Sequence, residues 1–180
     1  MSAVMCVVVA VVLFAADQLV KLWAINSLAP VGTMQVIPGL LSLTYVENRG
    51  AAFGIFQGQR TFIIVLVVVI LAIVGWMLFT NRIKATLERV CTTMIIAGGL
   101  GNLVDRIRLG FVVDYIDINQ LFAYPMFNLA DCFVVVGSCL LVVSVMLEEK
   151  REKKTAEVDV QPENEAEEII EDADKDRSDN

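Results

Sequence analysis

Residues 61–81 read Thr61-Phe-Ile-Ile-Val-Leu-Val-Val-Val-Ile-Leu-Ala-Ile-Val-Gly-Trp-Met-Leu-Phe-Thr-Asn81 and contain no charged side chain. A helix needs about 20 apolar residues to cross the hydrocarbon core of a membrane, and this stretch supplies them. Three further charge-free runs, rich in Val, Ile, Leu, Ala and Gly, occupy residues 1–16, 90–104 and 132–147. We therefore predict four transmembrane helices, over about residues 3–22, 61–80, 90–109 and 129–147.

Composition supports a membrane protein with a separate polar tail. The 180-residue chain is 57% apolar and has a mean hydropathy of +0.68, yet its formal charge is −7. Residues 1–147 hold 8 basic and 7 acidic side chains, whereas residues 148–180 hold 6 basic and 14 acidic ones. We therefore predict a membrane domain over residues 1–147 and an acidic, disordered cytoplasmic tail over residues 148–180.

The distribution of basic residues predicts how the helices are oriented. The second connection contains Arg82, Lys84 and Arg89, and four more basic residues follow the last span, whereas residues 110–127 contain none. Because cytoplasmic connections carry an excess of Lys and Arg, both termini are expected in the cytoplasm. The first and third connections are then outside.

The first outer connection has mixed local character. Residues 36–46 are rich in strand-forming types and are broken by Pro38-Gly39, which favours a short hairpin or small sheet at the membrane surface. Residues 48–58 are rich in Gly and Ala and could form a short interfacial helix or a flap. The predicted fold class is an all-α polytopic membrane protein with four transmembrane helices. A small extracytoplasmic β-element and a short interfacial helix lie between helices 1 and 2.

Several kinds of functional site are excluded or disfavoured. The chain has no histidine, which excludes Ser-His-Asp and Cys-His catalysis and histidine-based zinc sites. Its four cysteines lie in apolar runs without C-x-x-C spacing and are interpreted as packing residues. The glycine-rich stretch 98–106 lacks the Lys-Ser/Thr of a phosphate loop. We expect no metal, no cofactor and no nucleic-acid partner.

Three of the charge-free runs are too short to span a membrane unaided, at 16, 15 and 16 residues. Each helix must therefore draw a charged residue to its membrane boundary. These residues are Asp17, Asp105 and Asp131, and the predicted topology places all three toward the outer face. Because ionisable groups at membrane depth are costly, each is a candidate for function.

Helical spacing groups some of these residues with neighbours. Asp17 and Lys21 are four residues apart on one helix face, which favours an ion pair at a helix end. A Ser/Lys peptidase, with Lys21 as base and Ser27 as nucleophile, is a weaker alternative. Farther along the chain, a polar packing seam or a site is indicated by the shared face of Asn102, Asp105 and Arg106. Arg106, next to Asp105 in the sequence, is expected to neutralise its charge.

The carboxylates of Asp114, Asp117 and Asp131 differ from the others because residues 109–147 contain no basic side chain. Two such carboxylates held close together share one proton, so that one acts as base on water and the other as acid. This is the logic of an aspartic protease. Asp131, three residues after Asn128, could instead interact with a helix dipole, and Asp117 is expected in a solvated loop.

Five motifs in order carry a family resemblance: Asp17-Gln-x-x-Lys21, Asn48-x-Gly-Ala-Ala-Phe53, Gly98-Gly-x-Gly-Asn-x-x-Asp-Arg106, Val112-Val-Asp-Tyr115 and Phe127-Asn-x-Ala-Asp131. Over about residues 5–147 the chain resembles bacterial lipoprotein signal peptidases, the type II signal peptidases. The resemblance implies an aspartic endopeptidase of the bacterial cytoplasmic membrane. Such enzymes remove signal peptides from prolipoproteins by cutting before a cysteine that carries diacylglycerol.

The resemblance also implies roles for individual residues. Asp114 and Asp131 match the catalytic pair. The supporting or substrate-binding positions are Asp17, Lys21, Asn48, Gly50, Asn102, Asp105, Arg106 and Asn128. Arg106 is expected to bind the substrate backbone because its guanidinium donates in a fixed plane. The implied partners are membrane lipid and prolipoprotein signal peptides with a diacylglyceryl-cysteine, and the chain is expected to act as a monomer.

Two other classes of protein share some of these features. A small four-helix transporter or channel also gathers polar residues among its helices, but it should carry them through the full membrane depth. Here the inner halves of the spans are almost wholly apolar. A membrane scaffold that displays the acidic tail would not require the paired Asp114 and Asp131.

Overall fold

The computed structural model describes residues 1–51, 55–80, 82–119, 121 and 123–151. Within these residues, four helices are long and apolar enough to cross a membrane. They are α1 (Ala3–Trp23, continued by a π-helical turn over Ala24–Leu28), α2 (Arg60–Phe79), α3 (Thr86–Arg108) and α4 (Leu129–Arg151). The predicted four-helix membrane fold is confirmed. The predicted acidic tail lies outside the described residues from position 152 onward.

The chain forms two compact units, residues 1–141 and residues 142–180. The central helix of the first unit is α3, since 50% of the most apolar window of α3 is buried, against 11% for α1 and α2. Most side chains of α2, such as Val65 and Trp76, are exposed and suited to contact lipid. The helix whose sequence is least apolar is therefore the one that the others surround.

Three glycines allow α3 to approach its three neighbours closely. A Cβ atom on Gly98 would collide with the backbone of Ala130 in α4, and one on Gly99 would lie 2.8 Å from a leucine side chain of α2. A Cβ atom on Gly101 would collide with a side chain of α1. Small residues favour such contacts between membrane helices.

A three-stranded antiparallel sheet lies beside the helices, in the order β1 (Thr33–Ile37), β2 (Leu41–Asn48) and β3 (Val112–Asp117). The β1–β2 hairpin turns at Pro38-Gly39, as predicted, and Gly39 supplies a φ of 76°. Strand β3 was not predicted. Its side chains are buried or half-buried on both faces, so its sequence lacks the alternation that marks a surface strand.

The expected interfacial helix falls on the segment that follows β2. Residues 52–54 lie outside the described residues, and residues 55–58 form a turn. Phe56 and Gly58 both have positive φ angles in that turn, of 60° and 77°. In its described part, this segment is therefore a turn that leads into α2.

A small apolar cluster fixes the sheet against α1. Ala24 and Leu28, in the π-helical turn, are buried together with Val113 and Tyr115 of β3. Burying apolar side chains of this size contributes about 1–3 kcal/mol each. The end of α1 thus holds the strand that carries Asp114.

Candidate active site

A cavity of about 780 Å³ lies where β2, β3, α3 and the beginning of α4 meet. Its polar lining includes Asn48, Arg49, Asn102, Arg106, Asp114 and Asp131. Its apolar lining includes Tyr124, Met126, Phe127, Val134 and Val135. The cavity therefore combines carboxylates and guanidinium groups with an apolar wall, a combination suited to a peptide that carries hydrophobic groups.

Asp114 is held in this cavity by two amides. Strand β3 pairs with β2 so that Val46 is opposite Asp114, and this register brings Asn48 near the carboxylate. Nδ2 of Asn48 donates to Oδ2 of Asp114 at 2.9 Å, and Nδ2 of Asn128 donates to Oδ1 at 2.6 Å. Because each oxygen has its own donor, the carboxylate is fixed in one orientation.

Asp131 is positioned by the start of α4. Oδ1 of Asn128 accepts from the backbone N–H of Asp131 at 3.0 Å, and Oδ2 of Asp131 accepts from the backbone N–H of Asn128 at 3.1 Å. This reciprocal pair is a capping box, which satisfies backbone donors at a helix N-terminus. Nδ2 of Asn102 in α3 donates to the other oxygen, Oδ1, at 2.7 Å. The alternative predicted for Asp131, a helix-terminal carboxylate, is thus compatible with a place in the site.

Asn128 contacts both carboxylates and therefore holds them side by side. Among the described residues, neither Asp114 nor Asp131 forms an ion pair with a basic side chain. Burial is the main reason why the pKa of Asp114 is raised to about 6, and the charge of Asp131 raises it further. The hydrogen bonds from Asn48 and Asn128 partly offset this rise. Asp114 can therefore gain or lose a proton near neutral pH.

Another pair of carboxylates, Asp17 and Asp105, lies next to Asp114 and Asp131 and shares a cation. Nζ of Lys21 lies 3.1 Å from Oδ2 of Asp17 and 3.0 Å from Oδ2 of Asp105, and it donates to Oδ1 of Asn102 at 2.8 Å. The predicted Asp17–Lys21 pair is present, and all three charged residues are buried. Because three acceptors surround this ammonium, it is poorly suited to act as the base of a Ser/Lys peptidase, and Ser27 is exposed.

The counter-ion of Asp105 differs from the one suggested by the sequence. Arg106 is adjacent in the chain, but successive residues of a helix point about 100° apart. Asp105 faces α1 and pairs with Lys21, while Arg106 lines the cavity. The expectation that Arg106 neutralises Asp105 is therefore wrong.

The carboxylates of Asp17 and Asp105 also bind backbone donors of neighbouring elements. Oδ1 of Asp17 accepts from the N–H of Ala130 in α4 at 3.0 Å, and Oδ2 of Asp105 accepts from the N–H of Val113 in β3 at 3.2 Å. The ion cluster thus ties α1 and α3 to the elements that carry Asp131 and Asp114.

Arg106 connects α3 to the segment after β2. Its Nη2 donates to the carbonyl oxygen of Gly50 at 2.8 Å, and its Nη1 donates to the carbonyl oxygen of Asn102 at 3.2 Å. The N–H of Gly50 in turn donates to Oδ1 of Asn48 at 3.0 Å, which leaves the Asn48 amide nitrogen facing Asp114. Asn48, Asn102 and Asn128 bind the two carboxylates directly. Gly50, Arg106 and Lys21 bind one of these asparagines. Asp17 and Asp105 are connected to them through Lys21.

Two residues of the motifs acquire roles that the sequence did not suggest. Nε2 of Gln18 lies within hydrogen-bond distance of Asp17 and Asp105. The hydroxyl of Tyr115 accepts from the N–H of Leu129 at 3.1 Å and so joins β3 to the start of α4. Both residues belong to the family motifs, and this membership is the feature of the sequence that could have identified them.

Asp117 is separate from this site. It is the last residue of β3 rather than a loop residue, and it is half-buried. Its carboxylate accepts from the N–H of Asn119 at 2.9 Å and from Oγ1 of Thr44 at 3.1 Å. The Asn119 N–H is the main cause that lowers the pKa of Asp117 below its usual range. Its role is to terminate the strand.

Comparisons with known proteins agree with the geometry. The sequence profile of the family "Signal peptidase (SPase) II" matches residues 9–147. The lipoprotein signal peptidase of Clostridioides difficile (strain 630) is 43% identical over 148 residues, which cover 82% of this chain and 98% of that protein. The lipoprotein signal peptidase of Caldanaerobacter subterraneus subsp. tengcongensis is 46% identical over 138 residues, which cover 75% and 90%.

A solved structure shares the fold. A bacterial membrane enzyme determined by the in meso method at 2.3 Å resolution superposes with a TM-score of 0.77 at 29% identity, over 83% of this chain and 92% of that one. A peptidase family replaces the transporter and scaffold alternatives, and four apolar helices make the protein a multi-pass membrane protein. The chain belongs to the signal peptidase II family.

Proposed function

We propose that this protein is an intramembrane aspartic endopeptidase that removes signal peptides from diacylglyceryl-modified prolipoproteins, cutting before the lipidated cysteine. The observation that carries the proposal is the position of Asn128, which contacts both Asp114 and Asp131 in one cavity. Family membership supports the coarser activity, the processing of lipoproteins. The carboxylate pair supplies the chemistry for peptide hydrolysis without histidine or metal.

Asp114 is the acid in this mechanism and Asp131 is the base. Both carboxylates have an N–H donor on each oxygen. They differ because the raised pKa of Asp114 favours its protonated form, whereas Asp131 lies at a helix N-terminus, where negative charge is stabilised. Asp131 takes a proton from water as the water oxygen attacks the scissile carbonyl carbon. Asp114 gives its proton to the carbonyl oxygen, which produces a neutral tetrahedral diol.

Collapse of this diol completes the reaction. One hydroxyl of the diol returns its proton to Asp114, the C–N bond breaks, and Asp131 gives its proton to the leaving amine. Both carboxyl groups then regain their starting protonation states. Partial enclosure of the cavity strengthens these electrostatic interactions relative to bulk water.

Arg106, Asn48 and Gly50 bind the substrate backbone in this proposal. Arg106 already holds a peptide carbonyl, that of Gly50, at the cavity wall. A guanidinium presents several N–H donors in one plane and can engage a substrate carbonyl in the same way. Asn48 and Gly50 bring the segment after β2 over Asp114 through their mutual hydrogen bond.

The lipid of the substrate reaches the cavity from the side of α4. Val134 and Val135 line the cavity, and Val135 is 54% exposed on a helix that is long and apolar enough to span a membrane. An apolar cavity wall that continues onto a lipid-facing helix allows acyl chains to stay in hydrocarbon while the peptide contacts polar groups.

The same proposal includes the cellular arrangement. The protein lies in the bacterial cytoplasmic membrane as a monomer, with both termini in the cytoplasm and the site near the outer face. This orientation follows from the basic residues of the second connection and of the segment after the last span. Residues 1–147 form the peptidase domain, and residues 148–180 form an acidic cytoplasmic tail.

Conservative substitution of the two carboxylates tests the proposed function. Asp114→Asn and Asp131→Asn should each lower turnover of a diacylglyceryl-modified precursor by about a thousandfold or more, because neither amide can exchange the proton. Turnover is measured with purified protein in lipid vesicles, with the unmodified precursor as a second substrate.

Asp117→Asn is the matched control, since it removes a carboxylate three residues from Asp114 on the same strand. It should keep turnover within about twofold of the unmodified protein. Near-normal turnover by either Asp114→Asn or Asp131→Asn would exclude the carboxylate pair, and equal cleavage of the unmodified precursor would exclude the lipid requirement.

A further inference from the structure

The first residue of α2, Arg60, contacts the main chain at the end of α3, next to the site. Arg60 is exposed and contributes nothing to the described cavity lining, yet its guanidinium reaches the end of α3. Nε of Arg60 donates to the carbonyl oxygen of Arg106 at 2.7 Å, and Nη2 donates to that of Ile107 at 2.9 Å. Arg60 thus binds the main chain of the residue whose side chain lines the cavity.

These two contacts satisfy groups that a helix leaves open. The last carbonyl oxygens of a helix have no N–H donor within the helix, and a cation near them interacts favourably with the helix dipole. Helix α3 ends at Arg108, so the carbonyls of Arg106 and Ile107 belong to its last turn. The guanidinium supplies two donors in one plane, which matches two neighbouring carbonyls.

The guanidinium also lies beside the turn that connects α3 to β3. Gly110 makes this turn with a φ of 90°, and a Cβ atom added to Gly110 would be in ordinary van der Waals contact with Nη1 of Arg60, at 3.7 Å. Four residues later the chain reaches Asp114. Arg60 therefore binds the helix end that presents Arg106 and lies next to the turn that begins the strand of Asp114.

We propose that Arg60 is a positioning residue for this peptidase. It acts through the backbone by fixing the end of α3 and the α3–β3 turn, and so sets the placement of Arg106 and Asp114 relative to Asp131. This inference rests on the proposed function, because it assumes that Arg106 and Asp114 act on the substrate. Small displacements of reacting groups strongly reduce the rate of the chemical step, so loss of the two Arg60 hydrogen bonds should appear mainly in kcat.

Arg60→Met tests this role because methionine retains an unbranched apolar stem and removes every donor. Its kcat for the modified precursor should fall about tenfold or more, with KM changed by less than about threefold. Arg60→Lys keeps the charge and can donate to the carbonyls from a single nitrogen. Its kcat should therefore lie between that of the unmodified protein and that of Arg60→Met. The control is Arg108→Met, at the same end of α3, since Arg108 is exposed and forms no side-chain bond among the described residues.

The outcomes separate this inference from the proposed function. If the unmodified protein does not cleave the modified precursor, the proposed function fails. If it cleaves and Arg60→Met keeps a normal kcat, or Arg108→Met loses as much, only the positioning role fails. Elution volume and unfolding midpoint in detergent show whether Arg60→Met is folded. Should it be unfolded, a normal kcat of Arg60→Lys overturns the proposal, and a reduced kcat with an unchanged midpoint supports it.

Discussion

Two carboxylate pairs stand next to each other in this protein and are stabilised in opposite ways. Asp17 and Asp105 share the ammonium of Lys21, and all three side chains are buried. Asp114 and Asp131 share the side chain and backbone of Asn128 and line an open cavity. Asp17 and Asp105, the first pair, share one cationic counter-ion, whereas Asp114 and Asp131, the second pair, have neutral donors alone among the described contacts.

The difference shows how one small protein can use the same residue type for structure and for chemistry. The ammonium of Lys21 fixes the carboxylates of Asp17 and Asp105 in place, and the three side chains together join α1 to α3. A carboxylate held by amides keeps its orientation without a fixed counter-charge, so its proton remains exchangeable. Asn102 joins the two pairs, since it accepts from Lys21 and donates to Asp131.

The largest effect on the difference between the two pairs is expected when the cation of the first pair, Lys21, is removed. Lys21→Met should lower the free energy of unfolding by about 3–5 kcal/mol, because it leaves two buried carboxylates without a counter-ion. The measurement is the unfolding midpoint in mixed detergent micelles. Adding Asp17→Asn to this variant should recover part of the loss, and an unchanged midpoint for Lys21→Met would contradict a structural role for the first pair.

A smaller effect should follow from cutting the link between the pairs. Asn102→Ala removes a donor from Asp131 and an acceptor from Lys21, so kcat should fall about a hundredfold, or roughly 2.7 kcal/mol of activation free energy. Gln18→Ala is the control because Gln18 contacts the first pair and not Asp131. A loss of the same size in both variants would mean that the pairs are not functionally distinct.

The smallest effect concerns the pH dependence of the second pair. Since the pKa of Asp114 is raised to about 6 and the protonated form is the acid, kcat/KM should fall as pH rises through about 6. Asn48→Ala removes a hydrogen bond that lowers this pKa, so the fall should move to higher pH. Profiles of kcat/KM against pH for this variant and for Thr44→Val, which contacts Asp117 instead, provide the measurement. A shift to lower pH would contradict the assignment of Asp114 as acid.

The same shift has a consequence for stability. A carboxyl group whose pKa is higher in the folded state than its ordinary value of about 3.8 stabilises the fold in its protonated form. This contribution is present below about pH 3.8 and is lost as pH rises through about 6. Above that pH, the raised pKa of Asp114 no longer adds to the free energy of unfolding.

The helices and most of the site could be predicted from the sequence because both depend on local pattern. Charge-free runs located the four spans, and the absence of basic residues from 109 to 147 singled out Asp114, Asp117 and Asp131. The family motifs then selected Asp114 and Asp131 from these three. Strand β3 escaped prediction because its partner is far away in the chain, as in the Asn48–Asp114 hydrogen bond, which joins residues 66 positions apart. The Lys21–Asp105 pair escaped for the same reason, since helical spacing relates residues of one helix and not of two.

The glycines of α3 have a consequence for how this protein can vary. Gly98, Gly99 and Gly101 each face a different neighbouring helix at a distance that leaves no room for a methyl group. Gly101 in particular faces the carboxylate of Asp17, so any side chain there would push that carboxylate away from Lys21. The lipid-facing surface can exchange one apolar residue for another, whereas these three positions cannot accept even alanine without a shift. The arrangement of the charged groups thus depends on the absence of side chains at these three glycines.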